Sequence, residues 1–158
     1  MGASGLLGSA VCKAIIRRGY TLLPYTNTSK LSFSERCKAK QISISDENQI
    51  TRELFDQWPD AVINCAAISS PDTVDQSPQL ARSVNINGAE KLAQISAHIG
   101  ARHIHLSTDM VFDGTKSPYR STDIPNPMSE YGRQKLEAEK KVLAVTEENL
   151  LVLRITLL

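Results

Sequence analysis

The chain has 158 residues, a length typical of one domain with a sizeable core. Its 18 Lys and Arg residues and 17 Asp and Glu residues give a net charge of +1 without long runs, which argues against nucleic acid or an anionic membrane as partner. No apolar stretch approaches the roughly 20 residues that span a bilayer, and no signal-peptide pattern is present, so we expect one cytoplasmic domain over residues 1–158 that acts on small molecules.

The chain opens with "MGASGLLGSA", in which three glycines stand before an apolar helical pattern. The spacing of Gly2, Gly5 and Gly8 is that of the turn that brings a main chain close to the pyrophosphate of a dinucleotide. Such a turn usually follows a buried strand, and no strand pattern precedes it here. We therefore expect the chain to be a piece of a longer protein, cut at both ends, because it also stops inside the apolar segment "LLVLRITLL".

Short apolar runs alternate with helical patterns along the rest of the chain. The first helix is expected to end at Gly19. Strands are predicted at Tyr20–Leu23 and in "QISIS", "AVINCAA", "HIHLS" and "LLVLRI". Helices are predicted from about Asp46, as N-cap, to Trp58, in "LARSVNINGAEKLAQISAHIG", and from near Ser129 to about Thr146. The pattern indicates a Rossmann-type, doubly wound α/β fold with a parallel sheet that lacks its first strand.

Cysteine and histidine content gives little support for a metal site. Cys12, Cys37 and Cys65 are odd in number and lack metal-ligand spacing, so we expect reduced thiols. His103 and His105 alternate along one strand and could be metal ligands, but no third ligand lies nearby in the sequence. Packed histidines are the simpler interpretation.

The segment "SEYGRQKLEAEK" places Tyr131 and Lys135 four residues apart on a predicted helix, hence on one face about one turn apart. An ammonium beside a phenol favours the phenolate and lowers the phenol pKa, so that the tyrosine can exchange a proton with a substrate oxygen. The same spacing also occurs in ordinary exposed helical pairs. Glu137 and Glu139 on this helix are expected either on a solvated face or as i,i+4 partners near Lys140 and Lys141.

Two hydroxyls strengthen the interpretation of this pair. Ser107 and Thr108 end the "HIHLS" strand, and Thr108 stands 23 residues before Tyr131. A hydroxyl at a strand end can hydrogen-bond a carbonyl that is being reduced. The glycine turn, the hydroxyls and the Tyr/Lys pair follow the order that a nucleotide-dependent reductase requires.

The chain resembles the extended short-chain dehydrogenase/reductase superfamily, and within it the dTDP-4-dehydrorhamnose reductase group. The resemblance covers essentially all 158 residues and rests on "GASGLLG", "VINCAA", "SVNINGAEKLA", "STDMVFDG", "SPYRSTDIPNP", "YGRQKLEAE" and "LVLRI". It implies an oxidoreductase of dTDP-rhamnose biosynthesis that reduces a nucleotide-linked keto sugar with NADPH, or with NADH. It also implies a homodimer or a partner enzyme, and a C-terminal substrate-binding part that this chain lacks.

The resemblance further implies roles for named residues. The main chain of the glycine turn would hold the pyrophosphate, and the end of the "VINCAA" strand would line the ribose and nicotinamide. Those residues are Gly2, Gly5, Leu6, Leu7 and Gly8 for the turn, and Asn64, Cys65, Ala66 and Ala67 for the strand end. Thr108, with Ser107 beside it, would orient the keto group. Tyr131 would be the general acid, and Lys135 would bind the nicotinamide ribose.

Two assignments leave alternatives open. The segment "PYTNTSK" has no carboxylate to repel the 2′-phosphate of NADP, and Asn27 and Lys30 are donors suited to a phosphate, which favours NADPH. An ordinary polar turn would have the same composition. Asn85 is either the structural or proton-relay asparagine of the superfamily or a local cap near Gly88.

A second function of a different class is also open. The subfamily that the chain resembles also includes the regulatory beta subunit of methionine adenosyltransferase, a partner protein that binds the cofactor without catalysis. The segments "CAAISSPDTVDQSP" and "FDGTKSPYRSTDIPNP" are at least as similar to it. A non-catalytic subunit can keep a Tyr/Lys pair, so these residues alone leave both functions open.

Overall fold

The computed structural model describes residues 1–35, 37–145 and 148–156. Its strands in these ranges are β1 (Tyr25–Thr26), β2 (Ser32–Ser34), β3 (Cys37–Lys38), β4 (Lys40–Gln41), β5 (Ala61–Asn64), β6 (Arg102–Thr108) and β7 (Leu150–Ile155). Its helices are α1 (Leu6–Arg17), α2 (Glu47–Gln57), α3 (Pro71–Gln76), α4 (Pro78–Arg82), α5 (Gly88–His98) and α6 (Glu130–Val145). A π-helical segment, Ser83–Asn87, joins α4 to α5, and a 3-10 turn, Asp109–Val111, follows β6.

The strands pair mainly in parallel. β5, β6 and β7 form a three-stranded parallel sheet in that order, and β1 pairs with β4 in parallel. The first residues of the chain lie between these two groups. The Met1 ammonium donates to Ile63 O at 2.8 Å, and Cys65 N donates to Met1 O at 3.1 Å. Ala3 N donates to Tyr25 O at 2.9 Å. The predicted Rossmann-type α/β class is confirmed.

Two apolar clusters hold the helices in place. The larger one packs α2 and α5 against the strands and includes Ile50, Leu54 and Leu92. A second cluster, built largely from alanines, joins α5 to α6. The close approach of α5 requires Gly88, because a Cβ there would lie 2.7 Å from the Ile44 carbonyl oxygen. This packing fixes α6 over β6. No helix of the described residues is long and apolar enough to cross a membrane.

The predicted strand at Tyr20–Leu23 is wrong. Pairing begins only after Pro24, whose ring nitrogen has no N–H to donate but whose carbonyl oxygen accepts from Lys40 N at 3.0 Å. The strand is therefore β1, at Tyr25–Thr26. The "QISIS" strand is likewise displaced toward its start, because β4 covers Lys40–Gln41. The β2–β3 hairpin and α3 were not predicted.

Most helix predictions are confirmed. The Asp46 carboxylate caps α2 by accepting from Gln49 N at 3.0 Å, and Trp58 ends it in a left-handed conformation with φ of 43°. The long helix predicted in "LARSVNINGAEKLAQISAHIG" is interrupted by the π-helical segment. The predicted C-terminal helix is α6, and its expected end, Thr146, lies outside the described residues.

Candidate cofactor and catalytic site

Glycines allow the opening turn to lie directly against the end of β5. Gly2 has a φ of +76°, and a Cβ there would lie 2.7 Å from the Cys65 carbonyl carbon and from Ala66 N. A Cβ on Gly8, within α1, would collide with the Gly2 carbonyl oxygen. Side chains at either position would separate the turn, α1 and β5, so these two glycines are required by packing.

The N-terminus of α1 has the properties of an anion site. Gly5 is the N-cap, no side chain caps the helix, and its first turn carries no acidic residue. Leu6, the first residue of the helix, is 86% exposed, so the main chain at this position is open to a ligand. Main-chain N–H groups and the positive end of the helix dipole attract phosphate at such a terminus. The turn therefore fits the pyrophosphate of a dinucleotide.

The end of β5 supplies the wall beside this turn. Asn64 is buried, and its Oδ1 accepts from Ala66 N at 3.0 Å, which holds the chain as it leaves the strand. Cys65 and Ala66 are half-buried and Ala67 is exposed, so the segment borders open space. Burial raises the pKa of the Cys65 thiol. All three cysteines are free thiols.

The two strand-end hydroxyls differ in their surroundings. Thr108 Oγ1 accepts from Met110 N at 3.2 Å and donates to Asp109 Oδ1 at 3.2 Å, so it caps the 3-10 turn. Ser107 Oγ is buried and has no hydrogen-bond partner among the described residues. A keto oxygen would compete with Asp109 for the Thr108 hydroxyl, whereas the Ser107 hydroxyl is unengaged.

Lys135 is anchored in the interior rather than exposed on α6. Only 2% of the residue is accessible. Its Nζ donates to Leu106 O at 2.6 Å and lies 3.3 Å from His105 Nε2. Burial lowers its pKa to about 8, because an ammonium loses hydration there, although the Glu139 carboxylate acts in the opposite direction. Both residues of the predicted helical pair are thus buried, and Lys135 is directed at β6.

The pKa of Tyr131 is shifted in the opposite direction to the one that the helical spacing predicted. The residue is 9% exposed, and its pKa is raised, first because burial disfavours the phenolate and second because Asp109 is negative. The expectation that Lys135 lowers the phenol pKa is wrong for this structure, since the ammonium is directed toward Leu106 O. A protonated phenol at neutral pH is the form that a general acid needs.

Asn85 has a structural role. Its side chain accepts from Ile68 N at 2.8 Å and donates to Ile68 O and to Gln134 Oε1, both at 3.0 Å. These bonds tie the segment after β5 to α6, beside Lys135, and they replace the local cap near Gly88 as the explanation of this residue. Gln134, fully buried, was missed because an amide inside a polar helix gives no sequence signal.

The segment after β1 is a tight polar turn. Thr26 Oγ1 donates to Ser29 O at 2.6 Å, while Asn27 and Lys30 are exposed. His103 is a packed histidine: its Nδ1 lies 3.0 Å from Ser96 Oγ. Within the described ranges, no group of three or more His, Cys, Asp or Glu side chains could hold a metal ion.

An open cavity of about 1000 Å³ lies beside the loop that follows β6. Its wall includes Arg154, which pairs with the buried Glu139 at 2.7 Å, and the stacked rings of Phe112 and Tyr119. The expectation that Glu139 lies on a solvated face or pairs with a nearby lysine of α6 is wrong, because Glu139 is buried and pairs with Arg154. Tyr131, Lys135 and the strand-end hydroxyls do not line this cavity, although the adjacent Asp109 does.

Comparison with known proteins agrees with this geometry. Residues 1–158 match the family described as RmlD substrate binding domain, and the chain belongs to that family. Methionine adenosyltransferase 2 subunit beta of Bos taurus is 41% identical over 160 residues, which cover 99% of this chain and 45% of that protein. A probable low-salt glycan biosynthesis reductase of Haloferax volcanii is 36% identical over 153 residues, covering 96% of this chain and 50% of that one.

A solved structure gives the same assignment. The hypothetical dTDP-4-dehydrorhamnose reductase of Sulfolobus tokodaii superposes with a TM-score of 0.88 at 27% identity, over 99% of this chain and 54% of that one. The resemblance inferred from the sequence motifs is confirmed. The chain spans about half the length of the curated relatives it matches.

The lowered pKa of Lys135 makes a prediction about stability. Between pH 8 and about 10.5 the unfolded chain keeps this proton and the folded chain does not, so stability should rise with pH by up to about 1.4 kcal/mol per unit. Lys135→Met removes that contribution. The free energy of unfolding of the wild type relative to this variant should therefore increase by about 2 kcal/mol from pH 7 to 9.5 in urea titrations.

The matched control is Lys140→Met, at an exposed position of the same helix. It should leave the pH dependence as in the wild type. A wild-type advantage over Lys135→Met that stays constant across this pH range would contradict the buried, pKa-lowered amine.

Proposed function

We propose that this chain forms the cofactor-binding and catalytic part of an NADPH-dependent reductase of a nucleotide-linked keto sugar, similar to dTDP-4-dehydrorhamnose reductase. The observation that carries the proposal is the buried anchoring of Lys135 at β6, with Tyr131 one turn earlier on α6. Ser107 and Thr108 end the same strand. A cytoplasmic location and a homodimer remain predictions for the whole protein.

The dinucleotide would lie across the carboxyl ends of β1, β5 and β6, as in other sheets of this class. The main chain of Gly2 and Gly5 to Gly8, with Leu6 and Leu7 between, would bind the pyrophosphate. The residues that follow β5 would line the ribose and nicotinamide side, namely Asn64, Cys65, Ala66 and Ala67. The small side chains there leave room for a flat ring.

In this proposal the bound reduced nicotinamide supplies a hydride to the keto carbon. Thr108, with Ser107 beside it, polarises the carbonyl by hydrogen bonding to its oxygen. Tyr131 then donates its phenolic proton to the developing alkoxide. Its raised pKa keeps the proton in place until negative charge forms on the substrate oxygen. Lys135 binds the nicotinamide ribose with an N–H that neither Leu106 O nor His105 uses.

Cofactor choice would depend on the turn after β1. Asn27 and Lys30 are exposed there, and no carboxylate stands in the segment from Pro24 to Lys30 to bind a ribose 2′-hydroxyl. A lysine can pair with the 2′-phosphate of NADPH through a charge-assisted hydrogen bond. This composition supports NADPH over NADH.

Tyr131→Phe is expected to reduce turnover by a factor of about 10²–10⁴, because general acid catalysis is usually worth that much. The measurement is NADPH oxidation by the complete protein against a panel of nucleotide-linked keto sugars. Tyr20→Phe, at an exposed tyrosine, is the control and should keep wild-type turnover. If Tyr131→Phe kept more than a tenth of the wild-type rate, Tyr131 would not be the acid.

Lys30→Glu is expected to weaken NADPH binding by about 10- to 100-fold and to leave NADH binding nearly unchanged, since only NADPH carries the 2′-phosphate. Calorimetric titration of both dinucleotides measures the two affinities. Lys38→Glu makes the same charge change in the neighbouring hairpin and should have little effect on either. Equal affinities for NADPH and NADH, with Lys30→Glu silent, would overturn the assignment.

The 41% identity with methionine adenosyltransferase 2 subunit beta favours a second candidate function. In that case the chain would belong to a non-catalytic partner protein, and its cofactor would serve assembly. The same glycine turn and the same Lys135 would bind the dinucleotide. The two candidates therefore differ in turnover and in partner, and they share the binding site.

Mixing the protein with a purified methionine adenosyltransferase catalytic subunit separates the candidates. Under the reductase proposal, light scattering after size exclusion should detect no stoichiometric complex at micromolar concentration, while the keto-sugar panel supports NADPH oxidation. A stoichiometric complex without oxidation of NADPH by any sugar would favour the partner protein and contradict the reductase.

A further inference from the structure

Three buried polar side chains form a continuous row that runs from β5 through β6 to α6. Asn64, His105 and Lys135 are each at most 2% exposed. Asn64 Nδ2 lies 3.4 Å from His105 Nδ1, and His105 Nε2 lies 3.3 Å from Lys135 Nζ. The histidine ring therefore touches a nitrogen donor group on each side. Neither contact is required by the proposed hydride transfer.

The orientation of the Asn64 amide is fixed. Its Oδ1 accepts from Ala66 N at 3.0 Å, so turning the amide over would place two N–H groups against each other. The NH₂ group of Asn64 therefore faces His105 Nδ1. It can donate to that nitrogen only when Nδ1 carries no proton.

The imidazole carries a single ring proton. Burial, followed by the positive charge of Lys135 and by His103, lowers the pKa of His105 to about 2, so the ring is neutral at physiological pH. A neutral imidazole has one N–H and one bare nitrogen. His105 cannot accept from Asn64 and from the Lys135 ammonium at the same time.

Two arrangements of the protons are consistent with a single proton on the His105 ring. With Lys135 as ammonium, Nε2 accepts its proton, the ring proton sits on Nδ1, and the contact with Asn64 is left without a hydrogen bond. With Lys135 as neutral amine, Nε2–H donates to the Nζ lone pair, and Asn64 donates to the bare Nδ1. Only the second arrangement satisfies both contacts.

We propose that His105 is a positioning residue for Lys135. The ring proton of His105 moves from Nδ1 to Nε2 when Lys135 loses its proton, and Asn64 biases this pair toward the neutral amine. The change releases one proton to solvent. The bridging proton of the ammonium passes to Nε2, and the proton on Nδ1 leaves. The consequence for turnover rests on the proposed function, while the coupling itself does not.

Other ionisable groups face this pair. Glu139 on α6 raises the pKa of Lys135, and Cys65, beyond β5, acts in the same direction. His103, two residues earlier on β6, acts on His105 and lowers its pKa. None of these accepts a hydrogen bond from the His105 ring among the described residues. The tautomer is therefore determined by Asn64 and Lys135.

The change of tautomer at His105 keeps Lys135 Nζ in the same position in both protonation states of the lysine. As ammonium it donates to Leu106 O and to His105, and one N–H remains. As amine it donates to Leu106 O and accepts from His105, and one N–H again remains. A ribose hydroxyl would thus find the same donor at the same place on either side of the titration.

Nitrogen NMR of the protein labelled with [¹⁵N]histidine tests the coupling without any assay of activity. We expect His105 to carry its proton on Nδ1 at pH 6.5 and on Nε2 at pH 9.5, with a midpoint near the Lys135 pKa of about 8. The chain has only three histidines. His103 should stay protonated on Nδ1 throughout, because Ser96 Oγ donates to Leu92 O and so accepts from it.

Two variants sharpen this experiment. Lys135→Met should abolish the tautomer change, and Asn64→Asp should move its midpoint upward by more than one pH unit, because a carboxylate accepts from Nδ1–H. A His105 tautomer that is constant from pH 6.5 to 9.5, or a change that persists in Lys135→Met, would overturn the proposal. An unmoved midpoint in Asn64→Asp would overturn the role of Asn64.

Turnover gives an independent readout. His105→Leu removes the partner of Nζ, whereas the amide of His105→Gln can accept from the ammonium or donate to the amine. We expect KM for NADPH to rise about tenfold in the leucine variant and to be restored in the glutamine variant. Equal KM values in both variants would contradict a positioning role. A tautomer change in a protein that oxidises no NADPH would support the coupling and contradict the reductase proposal.

Discussion

The hydrogen bond from Lys135 Nζ to the Leu106 carbonyl oxygen is the contact on which the site depends. A buried amine is costly unless its donors are paired, and this one is paired at the central strand of the β5–β6–β7 sheet. The bond fixes the rotation of α6 about its axis. Tyr131 lies one turn earlier on the same helix, and burial favours its protonated phenol.

Close main-chain packing then brings the opening glycine turn to the edge of the sheet at which β5 and β6 end. Gly2 and Gly8 allow the opening turn to contact the end of β5, and Asn85 ties the segment after β5 to α6 through Ile68 and Gln134. The turn, the strand end and the catalytic helix therefore form one connected unit. A side chain on either glycine would separate the opening turn and α1 from the end of β5.

Structural features that depend on neighbouring residues of the chain were predictable from the sequence. Features that depend on contacts with distant residues were not. The Asp46 cap and the Tyr131 to Lys135 spacing depend on neighbours within one helical turn. The strand expected at Tyr20–Leu23 failed because pairing depends on Lys40, which is distant in the sequence. The direction of the Tyr131 pKa shift failed for the same reason, since burial and the direction of the lysine side chain are set by tertiary packing.

Transfer of a label from cofactor to sugar tests the central claim most directly. The complete protein is incubated with NADPH deuterated at the transferable position of the nicotinamide and with nucleotide-linked keto sugars, and the products are analysed by mass spectrometry. The account predicts a hydroxy sugar that carries one deuterium, formed by the wild type. Tight NADPH binding with no deuterated product from any sugar of the panel would contradict it.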